Sequence, residues 1–408
     1  MISGVGQADD VLLLASTISD LHLLATLTEK YCQKCRVKLG PSKTKLFVYP
    51  CHSFIVDHAK TVNPITIGGV PVKFTSEAEH VGIIRNTAGN MPNLLNRISN
   101  HKKNMGAIIS AGLGRRHRGN PAAAVRVHNL YCTPVLFSGL ASLVLSNAEV
   151  KIIDLHYQIT LQNLQRLHQK TPRSVVLLLA GSLPGEAILH IRQLTLFSMK
   201  CHLPDDHINS HAKYVLASRP ASSKSWFHQI RDLCLKYSLP HPIHLLENPP
   251  PKSLLKAKVK SNVSDYWKSL LTAEAAGLKS LTYLRPSQYN LKQPALLWLA
   301  ASGNSFECAK STIVAKMISG RYRSEDLCKH WSTTNKHGHC LAPTCTDVIG
   351  DLEHMLVVCP ALQEVRGKLT KLWLDRSTQS PALNQLIKMV LASPPAVLRS
   401  KYSSSLIQ

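Results

Sequence analysis

The chain has 408 residues with an apolar share of 44%, which fits a globular protein of more than one domain and excludes wholesale disorder. Lys and Arg number 48 against 24 Asp and Glu, a formal charge of +24, so the partner this balance favours is a polyanion held in a salt-sensitive way. The 11 Cys are odd in number and spread along the chain, which argues against a secreted disulfide framework.

Apolar runs near residues 135–145 and 175–183 are shorter than the ~20 residues of a spanning helix. Residues 1–7 carry no charged segment ahead of an apolar run, so no signal peptide is read. The expectation is an intracellular chain, nuclear or cytoplasmic, with no membrane partner.

In chain order, residues 11–15 form a short apolar run directly after Asp9 and Asp10. Residues 21–35 have helical spacing, with Leu23, Leu24, Leu27, Tyr31 and Cys35 on one face, and Gly40-Pro41 ends them. Residues 46–49 read as a strand. Residues 65–72, interrupted by Gly68 and Gly69, read as a hairpin, and residues 81–84 close the segment. Residues 94–111, 122–145 and 152–167 read as long helices. A polar stretch at 218–225 and the triple Pro at 249–251 break the chain. Shorter helices follow at 226–237 and 265–278.

The fold class is therefore α+β. Residues 1–88 are β-rich with one helix, 89–215 helical and basic, 216–300 a linker and variable helical region, and 301–408 a terminal Cys/His segment.

Three groups of residues carry chemistry. Asp9 and Asp10 stand just before an apolar strand, where two exposed carboxylates suit divalent metal ions such as Mg²⁺. Between His80 and Ala148 there is no Asp or Glu, while Arg85, Arg97, Lys102, Lys103, Arg115, Arg116, Arg118 and Arg126 all fall there. A face that merely solvates a protein mixes both signs, so these residues point to nucleic-acid backbone contacts that position without specifying. Last, Cys340, Cys345, His354 and Cys359 form a set of four thiolate and imidazole ligands, which suits a closed tetrahedral Zn²⁺ site. Residues 350–359 read as a helix that presents His354 and Cys359 to one ion. Cys328, His330, His337 and His339 are close enough in sequence to substitute for one ligand. The Cys32 and Cys35 pair sits inside a helix with no partner pair, so buried packing is the expectation there.

Ala8-Asp9-Asp10, the strand and helix after it, and Pro41-Ser42-Lys43-Thr44-Lys45-Leu46 together resemble the end of the palm in a non-LTR (LINE-type) retrotransposon reverse transcriptase. Glu79-His80-Val81-Gly82-Ile83 is similar to the hairpin that grips the primer end in that family. Leu183-Pro184-Gly185-Glu186-Ala187, with an Arg192-bearing helix, is similar to segments downstream of its thumb. Leu352-Glu353-His354-Met355-Leu356-Val357-Val358-Cys359-Pro360 resembles its C-terminal Cys/His element.

The resemblance implies a partial polymerase palm of β-hairpins plus a helix, a mainly helical thumb, and a small zinc-binding helical segment. It implies that Asp9 and Asp10 bind Mg²⁺ and that Lys43, or else Lys45, acts near the incoming nucleotide. RNA template and DNA primer are the implied partners, and Zn²⁺ is structural. The family places its first metal-binding Asp and its fingers upstream of the Ala-Asp-Asp hairpin, and usually has an aromatic residue where this chain has Gln7. The expectation is a fragment of an RNA-directed DNA polymerase that binds template–primer and is inactive without the N-terminal polymerase region of an intact relative. The alternative is a non-catalytic, zinc-containing nucleic-acid-binding remnant.

Overall fold

The computed structural model describes residues 3–7, 10–47, 65–80, 82–86, 89–113, 119–202, 207–218, 225–281, 284–299, 301, 305–322, 324, 337–352, 354–365 and 367. The fold is mixed, mostly helical with a few short strands. Contacts divide the chain into two units, Met1–Ser99 and Asn100–Gln408.

Among its described residues the first unit is built from hairpins and one full helix. Strands β1 (Ser3–Gln7) and β2 (Asp10–Leu14) pair antiparallel, from Ser3 opposite Leu14 to Gln7 opposite Asp10. Helix α1 (Ile18–Lys34) begins at Thr17, whose side chain accepts the Asp20 amide at 3.1 Å. Asp20 in its first turn and Lys34 in its last both complement the helix dipole. Strand β3 (Lys45–Leu46) pairs in parallel with β6 (Lys73–Phe74). Between them β4 (Thr66–Ile67) and β5 (Val70–Pro71) make the hairpin read at Gly68 and Gly69. Both glycines take positive φ, 58° and 75°, as a two-residue primed turn needs. Strands β7 (Glu77–His80) and β8 (Ile83–Asn86) form the last hairpin. Every ladder among the described residues has two strands, so each strand keeps one unpaired edge.

Helix α1 differs from its sequence reading in what it buries. Only Ala25 is buried, while Leu23 and Leu27 are 52% exposed and Tyr31 68%. The pair read as buried packing is also corrected: Cys32 is half-buried and Cys35 exposed. The shallow two-stranded ladders give this helix too little surface to cover its apolar face.

Helix α2 (Met91–Ile108) spans the unit boundary. Within the first unit its Asn93 is fully buried and accepts the Ile84 amide at 3.3 Å, which ties the helix to β8.

The second unit is mainly helical in its described residues. The single helix expected at 122–145 is broken into α3 (Pro121–Val127), a π turn at His128–Cys132, α4 (Thr133–Leu136) and a 3₁₀ turn at Leu140–Ser142. Pro134 has no amide hydrogen to give and its ring crowds the carbonyl four residues back, which the wider π turn relieves. Gly139, at φ 72°, then redirects the chain.

Helix α5 (Asn147–Leu164) opens with a capping box between Ser146 and Glu149. Helix α6 (Arg173–Ala180) is buried over every residue from Ser174 to Ala180 and stops at Gly181 in the left-handed region, φ 62°. Helix α7 (Gly185–Lys200) is the hub: α5, α9 (Trp226–Lys236) and α11 (Lys252–Ala276) all pack on it. Around these lie α8 (His207–Ser218), α10 (Pro242–Glu247), α12 (Leu296–Leu299) and α13 (Ser305–Ile318). The helix read at 265–278 is the second half of the longer α11, which starts directly after the triple Pro. Fully burying one Val or Leu stabilises a fold by roughly 1.5–3 kcal/mol, so the apolar α6 anchors this core. Trp298 closes it from far along the chain: its Nε1 donates to Gln165 Oε1 at 3.1 Å, and Gln165 Nε2 donates to the Val176 carbonyl at 2.9 Å. No single helix among the described residues is long and apolar enough to cross a membrane.

Candidate metal centre and basic surface

Residues 338–350 form a tight loop whose two ends are held by backbone bonds. His339 bridges Ile349, Cys340 donates its amide to the Val348 carbonyl at 2.8 Å, and Gly350 donates to the Gly338 carbonyl at 2.8 Å. Inside the loop the Cys345 amide donates to the Ala342 carbonyl at 2.9 Å, folding Cys345 back toward Cys340. Asp347 takes φ 58°, a left-handed turn that Asp tolerates better than most residues.

The second half of the centre is a single π turn, His354–Val358, where sequence reading expects a helix over 350–359. Asp351 caps it by accepting the His354 amide at 2.7 Å, and the Cys359 amide donates to the His354 carbonyl at 2.7 Å. The wider turn has a geometric consequence. Residues five apart on an α-helix point about 140° away from each other, whereas the π turn brings His354 and Cys359 to one side.

The ligand atoms of Cys340, Cys345, His354 and Cys359 all lie within 4.8 Å of one another, and Cys345, His354 and Cys359 are buried. Cys359 Sγ is 3.9 Å from Cys340 Sγ and 3.7 Å from Cys345 Sγ. Four ligands about 2.3 Å from a tetrahedral ion have sulfurs about 3.8 Å apart. The same separations are far beyond a sulfur–sulfur bond of about 2.05 Å. His354 supplies a separate sign: both its ring nitrogens are buried without a hydrogen-bond partner. A buried imidazole left so is costly, and a metal ion uses one of the two nitrogens. The cluster can therefore hold a metal ion.

The thiols are already graded. Burial raises the Cys345 thiol above its ordinary value. Burial also opposes ionisation of Cys359, but hydrogen bonds from the Cys345 and Cys340 thiols and the Ala361 and Leu362 amides outweigh it, so its pKa lies below the ordinary thiol range.

Of the substitute ligands, His337 is exposed and His339 leans toward Asp347, with Nδ1 3.6 Å from Oδ1. Cys328 and His330 lie outside the described residues.

The other expected site residues lie on different elements. Asp9 lies outside the described residues, and Asp10 begins β2 opposite Gln7. Lys43 is exposed, in a turn that its amide closes on the Gly40 carbonyl at 3.0 Å, and Lys45 is exposed in β3. Lys102, Lys103 and Arg126 are exposed, while Arg115, Arg116 and Arg118 lie outside the described residues. Arg97 is half-buried, and its Nη2 donates to the Gly82 carbonyl in the β7–β8 turn, so part of its donor capacity is used inside the protein.

His101 sits among the basic residues in sequence but is fully buried. It forms the middle of a chain of three imidazoles. Asn129 Oδ1 accepts from the Tyr157 hydroxyl at 3.3 Å and the Thr133 hydroxyl at 3.3 Å. That oxygen also takes His128 Nδ1–H at 3.2 Å. His128 Nε2 must then accept from His101 Nε2–H at 3.0 Å, and His101 Nδ1 from His156 Nε2–H at 3.0 Å. Each ring is neutral in this arrangement. Burial, with His128 and His156 alongside, pushes His101 down to about 3. Burial pushes His128 down to about 4, against the opposing pull of Asn129. Nothing local in the sequence joins three residues this far apart.

A cleft of about 530 Å³ opens beside Glu186, His190, Gln229 and Lys236. The Lys236 ammonium is bound by Glu186 at 2.7 Å and faces the Tyr237, Tyr266 and Trp267 rings at 5.2–5.5 Å, so its charge is satisfied within the fold.

No protein-family model matches the chain, nor does any curated protein or solved structure.

Proposed function

We propose that the chain is part of a non-LTR (LINE-type) retrotransposon reverse transcriptase and that its residues hold an RNA template and DNA primer. The observation that carries this reading is the β1–β2 register, which pairs Gln7 with Asp10. That pairing is compatible with a hairpin that carries the Ala-Asp-Asp sequence at its turn. In this reading Asp9 and Asp10 take Mg²⁺, which assists nucleotidyl transfer by activating a hydroxyl and steadying the leaving phosphate. Lys43 stands near the incoming nucleotide. Lys102, Lys103 and Arg126, with Arg115, Arg116 and Arg118, meet the phosphate backbone. Cys340, Cys345, His354 and Cys359 hold a structural Zn²⁺ with no open ligand position for chemistry.

The second reading is a nucleic-acid-binding protein without catalysis. It is favoured by the metal cluster, whose four ligand atoms converge independently of the acidic pair.

The deciding experiment is primer extension on a primed RNA with Mg²⁺, beside an Asp9→Asn control, together with binding across a salt series. Extension that the control abolishes supports the polymerase reading. Salt-dependent binding without extension supports the second reading. Neither binding nor extension overturns both.

A further inference from the structure

Helix α11 carries a row of lysines that neither the core nor the metal centre uses. Lys252, Lys256, Lys260 and Lys268 lie at spacings of four, four and eight, and Ser264 fills the position between the last two. Residues four apart share one ridge of a helix. This ridge runs one residue round from the buried ridge of Leu255, Val259, Val263, Trp267 and Leu271. Lys252, Lys260 and Lys268 are exposed and Lys256 is half-buried. At 1.5 Å per residue the row is about 24 Å long.

The row is unfavourable for the isolated protein. None of its four lysines takes part in an ion pair among the described residues. The helix has no acid in its first turn, and its first acid is Asp265. Lys252 thus stands at the positive end of the helix dipole, and neighbours four apart repel each other by tenths of a kcal/mol. Surfaces that serve solubility alone intersperse acids. A bound polyanion removes both penalties.

We propose that this ridge is a second track for the sugar–phosphate backbone of a nucleic-acid strand. The proposal rests on the nucleic-acid reading above and adds a surface to it. A row about 24 Å long spans several phosphates of one strand. Contacts of this kind fix position and carry no sequence information. A bilayer fits poorly. The ridge lies between the buried stripe of α11 and a polar row of Ser253, Ala257, Ser261 and Asp265, while the exposed Leu254, Tyr266 and Leu270 lie on the other side of the buried stripe, so no exposed apolar face adjoins the lysines to insert between lipids.

The test uses the full zinc-loaded chain and a short single-stranded RNA, with fluorescence anisotropy read across a salt series. Replacing Lys252, Lys256, Lys260 and Lys268 by Gln is expected to make the slope of log affinity against log salt shallower by about 3, at about 0.7 per lost contact. An unchanged or raised melting temperature confirms that the variant folds. A second variant, with Lys102, Lys103 and Arg126 replaced by Gln, separates the two surfaces. If only this second variant flattens the slope, the ridge proposal is overturned and the nucleic-acid reading stands. If the unmodified chain binds no RNA, both fall. Ridge-dependent binding to phosphatidylserine vesicles, with no ridge dependence on RNA, overturns the proposal in favour of a lipid surface.

Discussion

Cys345 and Cys359 hold their sulfurs 3.7 Å apart, although one lies in a loop held by backbone bonds and the other follows a π turn. Neither thiol has an apolar reason to be so close to the other, since like thiolates repel once ionised. A divalent ion bound by both would offset that repulsion. We expect equilibrium dialysis to find about one Zn²⁺ per chain, with Cys345→Ser, His354→Ala and Cys359→Ser each losing tight binding and Cys35→Ser keeping it. Because metal binding and local folding are linked, chelation should raise hydrogen exchange at the Cys340 and Gly350 amides. Retention of zinc by both Cys345→Ser and Cys359→Ser would remove the site.

The imidazole chain sets an acid limit on stability. His101 and His128 are pushed down to about 3 and about 4 in the fold, from an ordinary value near 6.5. Unfolding restores the ordinary value, so below it the unfolded state binds more protons. The contribution is complete above about pH 6.5 and is lost as pH falls through the interval from 6.5 toward 4. By about pH 4.5 the loss is on the order of 3 kcal/mol for one such group, and the two losses add, because both rings stay neutral in the fold there while each is protonated independently in the unfolded chain. Tryptophan fluorescence reports this unit, since all five Trp lie beyond residue 100. We expect its urea midpoint to fall steeply between pH 6.5 and 4.5, and to fall less in a His101→Gln, His128→Gln double variant. Equal pH slopes in the two proteins would mean the chain carries no acid sensitivity.

Much of this was legible in the residues, and the exceptions share a cause. The β4–β5 hairpin follows from local chemistry, two glycines in a row, whereas α1 stops at Lys34 and turns on Arg36 at φ 57°, ahead of the Gly40-Pro41 expected to end it. The ligands of the metal cluster were legible too, since a Cys/His set declares its own chemistry. What sequence reading missed depends on wider context. The π turn at His354 and the break after Val127 are backbone adjustments that a 3.6-residue period does not register. The stripe of α1 has the right period, yet a period says only that a face is apolar and not that anything covers it. His101 stands next to Lys102 and Lys103 in sequence, while its partners His128 and His156 come from two other elements.

Gly181 marks the closest approach in the second unit. It ends α6 at φ 62°, and a Cβ placed there would run into the Gln293 carbonyl and the Pro294 nitrogen. The Ala295 amide donates to the Leu179 carbonyl at 3.0 Å, so the backbone around Pro294 is pinned against the helix end. Gly181→Ala combines a left-handed penalty of about 1 kcal/mol with a backbone collision that cannot relax by rotating a side chain. We expect a loss above about 2 kcal/mol in denaturant unfolding. Gly277→Ala, where a Cβ meets nothing nearer than 3.6 Å, is the control and should change little.

Two leucines separate the units by what burial contributes. Leu161 on α5 is fully buried, while Leu27 on α1 is 52% exposed. Truncating a buried Leu removes its transfer energy and leaves a cavity, costing about 2–5 kcal/mol; an exposed one has little to lose, within about 0.5 kcal/mol. We expect Leu161→Ala to lower the urea midpoint read by tryptophan fluorescence. A Leu23→Ser, Leu27→Ser pair should leave unfolding by far-UV circular dichroism unchanged and raise solubility, because it removes apolar surface that already faces water. A destabilised Leu23→Ser, Leu27→Ser protein would mean that the α1 face is covered in solution, and cross-linking at Tyr31 would then find what covers it.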